Sequence, residues 1–308
     1  MADIVITEFM DEGVIAERMA GRDVLYDPKL VDRPEALRTA LADARALIVR
    51  NRTQVRGALL AAAPRLRVVG RLGVGLDNID LEACEGRGIA VHPATGANDV
   101  AVAEYVIAAA LLMLRRSWFA TDRVVAGHWP RMALIGREVH GQRLGLVGLG
   151  AIARETSSRA RALGMRIAAF DPLLAPDHPA WHGVERLELD ALLAASDVVS
   201  LHVPLTAATR NMLDARALAL MKTGAVLINA ARGGVVDEGA LIDALRARRL
   251  GGAVLDVFES EPLDAAHGAR FDGVPNLVLT PHIAGVTEQS NLRVSIVTAE
   301  SVLRTLDG

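Results

Sequence analysis

The stretch RLGLVGLGAIAR, residues 143–154, leaves this chain few ways to fold. Leu144, Leu146 and Val147 read as a buried parallel strand. Gly148-Leu149-Gly150-Ala151-Ile152-Ala153 then turns into a helix, with Ala153 at the third small position of G-x-G-x-x-G/A. Gly148 permits the tight turn, Gly150 lets the backbone approach a pyrophosphate, and Ala153 is small enough for the helix to pack on the strand. The helix N-terminus, with Ala151 and Ile152 in its first turn, presents N–H groups to the phosphates. Asp171 follows Gly150 by 21 residues, at the end of a second strand-like run over 165–170. An acid in that place accepts hydrogen bonds from an adenosine ribose. It favours NAD, because a 2′-phosphate would meet its charge. A lone glycine fingerprint also occurs in ordinary turns, and the strand, helix and spaced acid around it are what give it weight.

The bulk numbers agree with a nucleotide-binding α/β protein. A length of 308 residues suits one large or two ordinary domains. Aromatic residues make up only 3%, so the apolar content is mostly Ala, Leu, Val and Gly, which suits buried parallel strands and offers few stacking platforms for nucleic acid. The formal net charge of −3 implies no broad basic surface, and no nucleic-acid partner is expected. The single cysteine, Cys84, excludes an intrachain disulfide and any multi-cysteine metal site, and reads as a structural thiol on a helix. No metal is expected. The N-terminus carries acids early and too short an apolar core for a signal peptide, and the apolar run at 100–114 carries Glu104 and is short for a bilayer. A cytoplasmic protein with no membrane partner is the expectation.

Strands alternate with helices along the whole chain. Strands are expected at 4–6, 23–26, 46–49, 66–69 and 89–91, with helices at 12–19 and 34–41. A long, nearly all-apolar helix over 98–114 reads as buried between layers or domains. The stretch from Trp118 to Met132 is more irregular. After the nucleotide unit come strands at 198–203, 225–229, 252–257 and 276–280, with helices at 187–195, 213–220 and 239–248. A C-terminal helix from residue 285 is long enough to cross back to the first domain. The expected architecture is two Rossmann-like lobes with parallel sheets and an active site in the cleft. Residues 1–98 plus 285–308 form the substrate domain, and 99–284 the NAD-binding domain.

Ligands of open α/β sheets lie beyond the carboxyl ends of the strands. Three strand ends there carry chemistry: NAARGG at 229–234, DVFESEP at 256–262 and TPHIAG at 280–285. Reversible hydride transfer to a 2-keto acid needs a cation for the carboxylate and carbonyl, a proton donor for the developing alkoxide, and a group that keeps that donor charged. Arg232 supplies a forked donor. His282 exchanges a proton near neutral pH. Glu261 can pair with the second ring nitrogen of His282 and favour its protonated form. Each alone has a plain structural explanation. The set beside a nucleotide fingerprint does not.

The segments VGLGAIAR, LHVPLTAATRNMLD, LINAARGGVVDEGAL, LDVFESEPL and TPHIAG, in this order, resemble the D-isomer-specific 2-hydroxyacid dehydrogenase family over essentially the whole chain, with a formate/glycerate dehydrogenase-like fold. The resemblance implies Arg232, Glu261 and His282 as the catalytic trio. It places Asp171 at the adenosine ribose, Asp256 at the nicotinamide carboxamide, and Pro204 and Thr209 on a loop bordering the cofactor. Ala230, His282 and Gly285 line the cofactor as well, while His202 is a supporting residue. The loop Leu72-Gly73-Val74-Gly75 corresponds to the one whose backbone N–H groups receive the substrate carboxylate. It also implies a homodimer, formed through the nucleotide-domain side and including the long helix.

For the substrate, Arg50, Arg52, Arg71 and Arg131 stand out as partners for a second anionic group. The segments EFMDE, IVRNRT and VGRLGVGLDNID resemble the sulfolactate-oxidising branch of that family, which implies (S)-3-sulfolactate and 3-sulfopyruvate. Hydroxypyruvate/glyoxylate reduction and 3-phosphoglycerate oxidation stay open, as does a different class, an NAD(H)-sensing corepressor on the same fold.

Overall fold

Near-continuous Val, Ile, Leu and Ala runs are the mark of parallel strands covered on both faces, and this chain forms two all-parallel sheets. A computed structural model describes residues 2–116 and 120–308. The expected irregular stretch thus begins, at Trp118, outside the described residues. The chain divides into two compact units, residues 1–98 with 286–308, and residues 99–285.

The first unit holds β1 (Ile4–Ile6), β2 (Val24–Tyr26), β3 (Ala46–Val49), β4 (Val68–Arg71) and β5 (Ala90–Pro93), in the order β2-β1-β3-β4-β5. The order reverses between β1 and β3, so the residues just after those strands flank the crevice where such sheets bind ligands. The strand expected at 66–69 lies two residues later, because Gly70 and Arg71 continue the ladder opposite His92 and Pro93. One face packs on the helix Glu288–Asp307, which a reciprocal Thr287–Ser290 box caps. That helix starts three residues after the expected position. The contact is close: a Cβ on Gly70 would lie 2.6 Å from Val302 Cγ2 and 2.7 Å from Thr298 Cγ2. The other face packs on Leu37, Leu41 and the fully buried Cys84, whose thiol burial pushes up and leaves unreactive.

The second unit holds β6 (Arg143–Val147), β7 (Arg166–Phe170), β8 (Glu185–Arg186), β9 (Val198–Leu201), β10 (Val226–Asn229), β11 (Gly252–Leu255) and β12 (Leu277–Leu279). Their order, β12-β11-β10-β9-β6-β7-β8, is that of doubly wound dinucleotide-binding sheets, with the reversal between β6 and β9. The edge strand β8 is exposed and polar, so no apolar pattern announces it. The helices Asp99–Arg115 and Ala151–Ala162 cover one face, with Val106, Ala109, Ala110 and Met113 of the first packed in the same core as Ala153 of the second. The helices Leu189–Ala195, Ala215–Leu220 and Glu238–Arg246 cover the other. Gly285, expected with the first domain, belongs to the second unit, where it continues a loop anchored on Asp256.

Among the described residues, no helix is long and apolar enough to cross a membrane, and no group of three or more His, Cys, Asp or Glu is placed to hold a metal ion.

Gly70→Ala should overpack the seam between β4 and the C-terminal helix and lower stability by about 1–3 kcal/mol. Urea denaturation followed by circular dichroism measures this, and an unchanged midpoint would mean that the seam yields.

Candidate active site

The glycine turn sits at the crevice between β6 and β9. Gly148 has φ +91° and donates its N–H to Phe170 O at 2.8 Å. A Cβ there would lie 2.6 Å from His202 O at the end of β9, so both conformation and space require glycine. Gly150 is different. It N-caps the helix Ala151–Ala162 with φ −69°, no side chain caps it, and an added Cβ would meet nothing within 4 Å. The fold itself does not need a glycine at 150. An open, uncapped helix N-terminus with no side chain in the way fits a pyrophosphate.

Asp171, just past β7, accepts N–H bonds from Leu149 at 2.8 Å and Leu173 at 3.0 Å. Its carboxylate is thereby held against the glycine turn, where a ribose hydroxyl can also reach it. These features fit a bound NAD.

On the neighbouring loop the Thr209 hydroxyl donates to Pro204 O at 2.6 Å and accepts from Thr206 N–H at 2.8 Å, closing the loop on itself. His202 lies 3.0 Å from the Ser200 hydroxyl through Nε2. Burial pushes its pKa down to about 4, so the ring is neutral and supports the crevice rather than exchanging protons.

The three strand ends expected to carry chemistry come together within this unit. Asn229, 2% exposed at the end of β10, accepts from Ala231 N–H at 3.1 Å and donates to Arg232 O at 2.9 Å, fixing the turn through Ala230 that presents Arg232. The Arg232 guanidinium donates to Ala231 O at 2.5 Å. Gly233 follows because nothing larger fits: a Cβ would lie 1.7 Å from Phe258 O. The arginine turn therefore lies directly on the backbone leading to Glu261.

Glu261 accepts from Phe258 N–H at 3.0 Å through Oε1 and pairs with His282 Nδ1 at 2.6 Å through Oε2. Burial raises the Glu261 pKa. The hydrogen bond and charge of His282, the Phe258 amide and the Arg232 charge together outweigh burial and hold it below its ordinary value. His282 adopts φ +57°, a conformation that costs a side-chain-bearing residue about 1–2 kcal/mol. Its N–H is shared between Asp256 O at 2.8 Å and Thr280 O at 3.0 Å, which holds it there. With Nδ1 on Glu261, Nε2 is the nitrogen left for a reacting group.

Asp256, expected at the nicotinamide, is 1% exposed, and its carboxylate binds its own protein. It accepts from the Thr280 hydroxyl at 2.6 Å, Ile283 N–H at 2.8 Å and Ala284 N–H at 2.7 Å. Its observed work is to hold the histidine loop.

Within the first unit, the buried Glu8 carboxylate, unremarked in the sequence, collects N–H groups from Arg50 at 2.9 Å, Arg52 at 3.2 Å and Thr53 at 3.0 Å. Asn78 binds the same loop from its carbonyl side, donating to Arg50 O at 2.9 Å and Thr53 O at 2.7 Å. An acid two residues past a strand was the available signal. Arg50 donates to Phe9 O at 2.7 Å and Asn291 Oδ1 at 2.9 Å and lies over the Phe9 ring. Arg52 forms an ion pair with Asp32.

In the neighbouring loop, Leu72 N–H and Gly73 N–H are engaged with Val49 O and Arg71 O, both at 2.8 Å. Val74 and Gly75 are therefore the members whose amides can face a carboxylate. The Arg71 guanidinium covers Gly73, where a Cβ would lie 1.6 Å from Nη1. Arg131 lies in the second unit on an exposed segment that includes Trp129 and Met132, 76% and 81% exposed.

Residues 107–284 match the family model for the NAD-binding domain of D-isomer specific 2-hydroxyacid dehydrogenases. The chain is 54% identical over 307 residues to an (S)-sulfolactate dehydrogenase of Chromohalobacter salexigens, covering 99% of each. It is 39% identical over 264 residues to a D-3-phosphoglycerate dehydrogenase of Archaeoglobus fulgidus, covering 85% of this chain and only 50% of that relative. Among solved structures, a D-lactate dehydrogenase of Aquifex aeolicus, complexed with NAD and lactic acid, is similar with a TM-score of 0.89 and 29% identity over 99% of this chain and 96% of that one. The TT0316 protein of Thermus thermophilus gives 0.88 and 34% over 99% and 97%.

Two outcomes follow from this geometry. Gly150→Val should keep its melting temperature while NADH affinity, read by fluorescence titration, falls at least roughly tenfold, about 1.4 kcal/mol. Gly148→Val should instead lose stability. Equal behaviour of the two would contradict the distinction drawn between them. Glu261, with its folded pKa below the ordinary 4.5, contributes stability that is complete above that value and is lost as pH falls through the lowered one. Melting temperatures across that acid range should therefore drop less steeply for Glu261→Gln than for the parent. Parallel curves would show that the pair contributes nothing there.

Proposed function

The chain belongs to the D-isomer specific 2-hydroxyacid dehydrogenases, and from that membership we propose that it interconverts (S)-3-sulfolactate and 3-sulfopyruvate with NAD. The observation that carries the choice of substrate is the end-to-end likeness to a sulfolactate dehydrogenase. The general activity is that of the family, an NAD-dependent oxidoreduction between a 2-hydroxy acid and its 2-keto acid.

In this reading Arg232 binds the substrate carboxylate. His282 Nε2 removes the hydroxyl proton, and Glu261, on the opposite ring nitrogen, stabilises the imidazolium that results. A bound nicotinamide would supply the acceptor for the hydride of C2. Gly148, Gly150, Ala151 and Ile152 would hold the pyrophosphate and Asp171 the ribose, and Pro204, Thr209, Ala230 and Gly285 would line the remainder. Asp256 remains a candidate for the carboxamide through the acceptor capacity left on Oδ2.

The sulfonate falls to Arg50, Arg52 or Arg131. Arg50 is the stronger choice over Arg52. The Arg52 charge is balanced by Asp32, whereas no carboxylate among the described residues forms an ion pair with Arg50. A phosphate would be held by the same logic, which keeps 3-phosphoglycerate as the second reading, favoured by the likeness to 3-phosphoglycerate dehydrogenases.

The exposed Val125, Trp129, Met132 and Ile135 in the second unit, 62–83% accessible, support a homodimer through this face. A small-molecule NAD enzyme with one buried thiol and no long apolar helix among the described residues suits the cytoplasm.

The test follows NADH oxidation with sulfopyruvate, 3-phosphohydroxypyruvate, hydroxypyruvate, glyoxylate and pyruvate. The expected result is a kcat/KM for sulfopyruvate at least roughly tenfold above the others, lost by about 1.5–3 kcal/mol in Arg50→Ala, the range for a charged hydrogen bond. A preference for hydroxypyruvate or glyoxylate that is indifferent to Arg50 would sink the proposal.

A further inference from the structure

The loop that carries His282 is tied to a tyrosine of the long helix Asp99–Arg115. The Tyr105 hydroxyl bonds the Thr280 hydroxyl, which lies 2.6 Å from Asp256 Oδ1. Asp256 in turn holds Ile283 and Ala284 through its side chain and His282 through its carbonyl. The direction of this chain is fixed by chemistry. A carboxylate has no proton to give, so the Thr280 hydroxyl must donate to Asp256. Its oxygen is then an acceptor, and Tyr105 must be the donor. Burial raises the Tyr105 pKa to about 12, opposed by the bond to Thr280, so the phenol keeps the proton that this role requires.

Among the described residues nothing else accounts for the hydroxyl. Val106, Ala109 and Ala110 of the same helix face the core, where a phenyl ring would pack as well as a phenol. Among the described residues the phenol oxygen has one hydrogen-bond partner, and that partner leads to the histidine loop.

We propose that Tyr105 and Thr280 are positioning residues for the reaction. Two hydroxyls in series orient the Asp256 carboxylate, and this carboxylate holds residues 282–284 in the backbone conformation that aims the His282 ring. Neither hydroxyl touches substrate or cofactor in this role. The inference rests on the reading of His282 as the group that exchanges the proton.

The experiment compares Tyr105→Phe, Thr280→Val, Thr280→Ser and the Tyr105→Phe/Thr280→Val double variant, with His282→Asn alongside. Steady-state kinetics uses the keto acid that the parent turns over best. NADH binding is read by fluorescence and folding by melting temperature. For Tyr105→Phe and Thr280→Val, kcat should fall by roughly 5- to 30-fold, the factor that corresponds to losing one or two ordinary interactions. KM and NADH affinity should stay within about twofold, as expected when an interaction acts on the transition state alone. Because the links are in series, the double variant should be no worse than Thr280→Val alone. Thr280→Ser should restore kcat, since it keeps the hydroxyl.

Unchanged kcat in Tyr105→Phe, losses that multiply in the double variant, or no rescue by serine would each overturn the proposal. His282→Asn separates the two layers. If it still turns over at the parent rate, the reading of His282 fails and the chain's purpose with it. If it is inactive while Tyr105→Phe is fully active, only the positioning chain fails.

Discussion

A parallel strand covered on both faces can place polar chemistry only past its end. Both sheets obey this constraint, and the sites follow from it. The interiors of β1, β3, β9, β10 and β11 are buried throughout. Glu8, Arg50, Asp171, His202, Asn229 and Asp256 all stand at or just past carboxyl ends. The glycine turn at β6 and the histidine loop after β12 complete the same edge of the second sheet. Within that unit the candidate chemistry is gathered by topology before any side chain is chosen.

What then fixes the loops is a device used three times. Glu8, Asp171 and Asp256 each turn a carboxylate back onto backbone N–H groups of a loop that must present something: Arg50 and Arg52, the glycine turn, and His282. An acid at a strand end is the natural clamp, because loop amides beyond a parallel sheet lack ladder partners and a buried unpaired amide is costly. Asn229 does the same for the arginine turn with an amide side chain, which satisfies a donor and an acceptor together.

Much of this could be read from the chain. The fingerprint, the spacing to Asp171 and the alternation of apolar strands with helices are local signals, and so is the order of the arginine, glutamate and histidine segments. What was not legible depends on pairing across the fold. The pairing of Arg52 with Asp32 was not legible, because Asp32 lies 20 positions earlier and only the folded chain brings them together. The hold that Asp256 has on Thr280, Ile283 and Ala284 was not legible either, because its sequence neighbours say nothing of them. Glu8 has no local pattern around it that marks a clamp, and its burial against loop amides is a tertiary fact. The strand ends were misjudged by two residues or so where a glycine or histidine continued or ended a ladder without an apolar signature.

The helix Glu288–Asp307 that covers β4 also sets an order of assembly. The second unit is one continuous run of chain and can close its core as soon as it is made. The first sheet cannot: Val294, Ala299, Val302 and Leu306, which cover one of its faces, are synthesised more than 220 residues after β4. Until they emerge, Ile4, Ile6, Ile48 and Val68 present an apolar surface to the cell. The amino-terminal segment is thus made before the second unit and completed only after it, and its open face must be kept from neighbouring chains in the interval.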